Sequence, residues 1–100
     1  MIRMTSFALC AALATPAAAD AAKEADCGYQ GDVVAAVQAA RVARVGERRV
    51  IDHIAQSGPA WPEKYYAVIP LVTPWVYTMK MSEVRSADLA AAWKELCVAQ

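Results

Sequence analysis

Two cysteines carry the most defined chemistry in this chain. Cys27, in Asp26-Cys27-Gly28-Tyr29, and Cys97, in Trp93-Lys94-Glu95-Leu96-Cys97, bracket nearly everything that follows an apolar leader. The third cysteine, Cys10, sits inside that leader. Once the leader is removed, two thiols allow one pairing, so a Cys27–Cys97 disulfide is expected and no thiol is left as a nucleophile. In the chain-entropy account, closing a loop of about 70 residues is worth roughly 4 kcal/mol. That is a large share of the roughly 5–15 kcal/mol by which a domain is stable.

The remaining reactive side chains do not converge. His53 is the only histidine. A metal site needs several His, Cys or carboxylate ligands at matching spacing, and none is present, so no metal or other cofactor is expected. Asp52 is adjacent to His53, but neighbours on a helix point about 100° apart and form no dyad. There is no haem-attachment CxxCH, no Gly-rich phosphate loop and no Gly-x-Ser-x-Gly elbow. No catalytic residue is assigned, and the chain reads as non-enzymatic.

Two sets of residues are left for binding. Arg41, Arg44 and Arg48 share one face if a continuous helix carries them. That stripe either meets an anionic partner (a lipid headgroup, an acidic glycan or an acidic protein) or is a solvated flank. In the second case Arg44–Glu47 and Arg48–Asp52 are at pairing distance along the helix. The aromatic set is denser. Trp61, Tyr65, Tyr66, Trp75 and Tyr77 fall within 17 residues, among Pro59, Pro62, Pro70 and Pro74. Trp61, Tyr65, Tyr66 and Tyr77 form a candidate partner surface, with Trp61, held between two prolines, as the most exposed ring. The competing reading places these rings in the core where short helices cross. Trp75 and Trp93 are expected to be buried.

The leader sets the compartment. Arg3 supplies a positive charge, Ser6 to Ala14 is apolar, Thr15-Pro16 breaks the run, and Ala17-Ala18-Ala19 offers small residues to a signal peptidase. This is the pattern of a cleavable signal peptide over residues 1–19, with Asp20 as the first mature residue and a cut after Ala21 as second choice. The run is well short of the ~20 residues of a membrane-spanning helix, so no stable membrane anchor is expected. Removing Arg3 from the ten basic residues leaves nine against ten acidic ones, a net charge of about −1. That balance gives no pull towards nucleic acid.

The elements that must position these residues all read as helical. Residues 20–26 show no period and are expected as a flexible tail before a domain at 27–100. Gly28 and Gly31 suggest an irregular approach, and Asp32 reads as an N-cap. Val33, Ala36, Val37, Ala40, Ala43, Val50, Ile51 and Ile54 line one face of a helix from about Asp32 to Gln56. Gly46 leaves open a kink or break within it, and Glu47 is a flaw in the stripe. Ser57-Gly58-Pro59 ends the helix. Pro62 starts a short helix that Pro70 interrupts, and Thr73-Pro74 starts another. Ser86 caps the last helix, with Asp88 in its first turn and Leu89, Ala92, Trp93 and Leu96 on one face.

The fold expected is therefore all-α: a small disulfide-closed helical domain with one long helix against two or three shorter, Pro-punctuated ones. This layout resembles that of small periplasmic acid-stress chaperones, though no motif matches residue by residue and no site transfers. The expected role is non-enzymatic binding or stress protection in the periplasm, or after secretion, with another envelope protein as partner. The alternative is a small accessory subunit or inhibitor of an envelope enzyme.

Overall fold

The computed structural model describes residues 16–100. Most of residues 1–19, expected as a signal peptide, therefore lies outside the described residues. Ala is the best helix former, and the Ala-rich stretch after Pro16 is helical without interruption: α1 runs Pro16–Val42. Four further helices follow: α2 (Val50–Gln56), α3 (Ile69–Thr78), α4 (Met81–Ser86) and α5 (Leu89–Val98). Short 3₁₀ turns at Glu47–Arg49 and Glu63–Val68 lead into α2 and α3. No strand occurs among the described residues. The chain is one long helix with shorter ones laid against it, closed by Cys27–Cys97 with alpha carbons 5.7 Å apart.

The start of α1 corrects the expectation at three points. Residues 20–26 are helical rather than a loose tail. Gly28 and Gly31 lie within the helix, and Asp32 is an exposed mid-helix residue rather than a cap. Glycine costs a helix about 1 kcal/mol relative to Ala. The packing of α5 offsets it. A Cβ on Gly31 would lie 2.6 Å from Lys94 Cε. Gly31 thus leaves the room that the Lys94 side chain of α5 occupies. Cys27 pairs with Cys97, whereas Gln30 and Gly31, further along α1, meet Trp93 and Lys94, earlier in α5, so α5 lies antiparallel on the first half of α1.

The second half of α1 buries Val33, Val37 and Ala40, as the periodicity predicts, and Val34 as well, while Ala36 is half-buried and Ala43 exposed. These join Val50 and Ile54 of α2, Tyr65, Ile69, Val72 and Val76 around α3, Val84 of α4 and Leu89 of α5 in one core. Gln38 secures α4 by donating through Nε2 to the carbonyls of Val84 and Ala87.

The long first helix breaks ahead of Gly46. Arg44 N–H donates to Arg41 O at 3.0 Å and Val45 N–H to Ala40 O at 3.0 Å. This is the Schellman arrangement, and it puts Arg44 at φ +62°, a left-handed position that favours glycine. Val45 then folds back onto the core. After the break the stripe loses its register. Ile51, expected in the core, is 48% exposed, and Glu47 leaves the buried face entirely. Arg44→Gly is expected to raise stability by about 1 kcal/mol, since left-handed backbone costs an L side chain roughly 1–2 kcal/mol. A thermal midpoint that falls instead would mean that the Arg44 side chain stabilises the corner.

The later boundaries move by a few residues. Gly58 takes the expected left-handed position after α2, at φ +65°. Pro70 starts α3 instead of interrupting a helix, because the first helical turn has no use for its missing N–H. Thr73 does not cap. It is buried in α3 and its hydroxyl donates to Ile69 O at 2.6 Å, while Pro74 sits inside the helix. Asp88, not Ser86, caps α5, with Oδ1 accepting from Ala91 N–H at 3.0 Å.

Candidate functional site

Asp26 stands one residue before the bridged Cys27, on the face of α1 that α5 covers. Its Oδ1 accepts from the Tyr65 hydroxyl at 2.6 Å, and its Oδ2 from Gln30 Nε2 at 2.9 Å. Gln30 Oε1 in turn accepts from the indole N–H of Trp93 at 3.0 Å. One polar chain thus links the turn before α3, α1 and α5, beside the disulfide. The Asp26 bond is the main reason that the Tyr65 phenol is pushed up to about 12. Loss of solvent and the charge of Asp26 add to it. Asp26 and the two cysteine sulfurs lie within 4.8 Å of one another, but both sulfurs are consumed by the disulfide and offer a metal no thiolate.

The structure divides the predicted aromatic surface. Tyr65 is 5% exposed, so its place in a partner surface is corrected: the ring is core, against Tyr29 at 5.0 Å between centroids. Trp61 is half-buried, edge-on to Tyr66 at 6.0 Å, and both rings pack on the core. The Trp61 indole N–H is buried without a protein acceptor, so Trp61 is not the free ring that its flanking prolines suggested. Tyr77 is half-buried and donates to Val45 O at 2.6 Å, pinning the helix break. Burial pushes its phenol up, and the nearby Arg41 charge pulls the other way.

The arginine stripe does not survive the break in α1. Arg41 stays on α1 with its guanidinium 5.2 Å from the centre of the Tyr77 ring. Arg44 sits at the left-handed corner and lines a cleft with Arg49 and His53. Arg48 lies on another side, in a hollow with Glu47, Ile51 and Pro70. The three share no face, because no continuous helix carries them.

A different surface emerges from α3 and α5. Trp75 and Trp93, expected to be buried, are both half-buried and touch, with centroids 5.8 Å apart. Leu71 is one helical turn from Trp75, and Leu96 one turn from Trp93, so each pair is adjacent on its helix. Leu71 is 72% exposed and Leu96 63%. Together they make a row of four large apolar side chains across two helices. At its α5 end the row opens into a cleft of about 350 Å³ where Trp93 and Leu96 meet the disulfide, Asp26 and Gln30.

No protein family, curated protein or solved structure matches this chain.

Of the row, periodicity does single out Leu96 and Trp93, but as a face turned to the core. Only Leu89 of that face is fully buried. Leu71 carries no signal of its own, since an isolated Leu beside Pro70 reads as filling for the next helix. Asp26 and Gln30 escape notice because their partners are 39 and 63 residues away. No helix among the described residues is long and apolar enough to cross a membrane.

Proposed function

We propose that the mature chain is an exported, non-enzymatic binding protein with a stress-protection role. It holds apolar segments of other envelope proteins on the row Leu71–Trp75–Trp93–Leu96. The observation that carries this reading is the row itself. Scattered exposed leucines need no explanation, but four large apolar residues joined by a Trp–Trp contact form a continuous patch. Trp is favoured where partners bind, because it offers large area with few torsions to freeze. The disulfide supports the oxidising compartment that the leader implies.

The test is light scattering of heat-unfolding citrate synthase with and without the mature protein. Leu71→Ser combined with Leu96→Ser changes only exposed side chains, so the melting curve should shift by less than about 1 kcal/mol in stability. The expected result is that the wild type suppresses aggregation and the double variant loses most of that effect. Equal suppression by both proteins would remove the row from the function. No suppression by either, together with stable co-purification of one defined envelope enzyme, would favour the accessory-subunit or inhibitor reading.

A further inference from the structure

The joint between α1 and α2 holds a second concavity, remote in character from the apolar row. It encloses about 330 Å³ and is lined by Arg44, Val45, Gly46, Arg49, His53 and Gln56. No Asp or Glu lines it. The whole sequence is charge-balanced, with ten basic and ten acidic residues, so this grouping of donors is local. We propose that this cleft is a binding site for a phosphate-type oxyanion.

The backbone explains how the donors meet. Arg49, His53 and Gln56 are spaced i, i+4 and i+7, which stacks them on one side of α2 and the turn before it. Arg44 comes from the opposite wall, because the left-handed corner and the extended Gly46 (φ −62°, ψ 144°) turn the chain back on itself. The backbone amides of residues 43–45 are already spent on closing α1, so the charged donors available to an anion here are side chains. Two guanidinium groups suit that task, since each presents a planar fork that matches two phosphate oxygens. With no carboxylate in the lining, an anion is the natural counter-charge for the two guanidinium groups.

The lining also limits the ligand. A volume of this size is at the low end for small-molecule sites, about 300–1,000 Å³. No Phe, Tyr or Trp lines the cleft and its charged donors are the two Arg forks, so the group it suits best is the phosphate itself. Arg41 takes no part, being drawn to Tyr77, and Arg48 faces a different hollow. Arg48 is therefore the internal control.

The experiment titrates the mature protein with inorganic phosphate at constant ionic strength and follows amide and Arg Nε–H signals by NMR. Acetate serves as the comparison anion. Saturable shifts are expected at residues 44–56. Arg49→Gln and Arg44→Gly should each weaken binding by about tenfold or more, the effect of removing one charge-assisted donor. Arg48→Gln should leave it unchanged. A parallel arm measures retention on phosphatidylglycerol vesicles against phosphatidylcholine vesicles. Retention that Arg49→Gln abolishes assigns the phosphate to a lipid headgroup. Phosphate shifts without retention assign it to a free anion. Equal losses in all three variants, equal shifts with acetate, or no saturable shift would overturn the site. None of these readouts depends on capture of apolar segments.

Discussion

Replacing Cys27 and Cys97 together with serine is expected to lower the stability of the protein by about 4 kcal/mol. The bridge spans 70 residues of sequence, so its loss frees nearly the whole unfolded chain. For a domain of this size that corresponds to a drop in thermal midpoint on the order of 15–30 °C. The damage should begin at α5. Its last turn offers little burial of its own, since Leu96 is 63% and Val98 45% exposed. Hydrogen exchange should therefore rise first along Leu89–Val98 and the facing turns of α1, from Lys23 to Gly31. A compact unfolded state would reduce the loss. A shift in stability below about 1 kcal/mol would mean that helix packing, not the bridge, closes the fold.

Tyr65 carries the second large effect. Tyr65→Ala should lower the thermal midpoint by roughly 10–30 °C, as expected for removing a buried aromatic ring from a small domain. Tyr65→Phe keeps the ring and removes only the hydroxyl that Asp26 accepts from, so its effect should be several times smaller. The two variants also separate in alkaline solution. The phenol is raised from its ordinary 10 to about 12 in the folded state. A raised phenol holds its proton more tightly when folded. Its contribution is thus complete below the unfolded value of about 10 and is lost as pH rises from about 10 to about 12. Tyr77 adds a loss of the same sign. Wild type should therefore lose more stability over that range than Tyr65→Phe. Parallel denaturation curves for the two proteins would show that the Asp26 bond contributes nothing to the fold. A mild effect of Tyr65→Ala would return the ring to the surface.

Much of this protein is determined by local sequence. Ala-rich composition, a period near 3.6 and well-placed Pro and Gly leave only an all-α chain. Of the three cysteines, Cys27 and Cys97 form the one disulfide. Val33, Val37, Ala40, Val50 and Ile54 declare themselves as core by spacing alone, and Gly58 marks the end of α2 because few other residues accept its backbone. Apart from the disulfide, which the count of cysteines settles across 70 residues, these features depend on neighbours within one or two turns, where sequence distance and spatial distance agree.

What only the tertiary structure decided depends on contacts far apart in sequence. α1 runs through Gly28 and Gly31 because α5 lies against it there, and spacing within residues 20–32 cannot show a partner some 60 residues on. The break at Arg44 removes the arginine stripe and turns Ile51 outward. It occurs because Val45 gains the core by folding back, at the cost of a left-handed arginine. The aromatic residues sort the same way. Tyr65 is buried because Asp26 satisfies its hydroxyl from another helix. Trp75 and Trp93 stay half-exposed because they meet each other at the edge of the core, and no periodicity within α3 or α5 records that meeting.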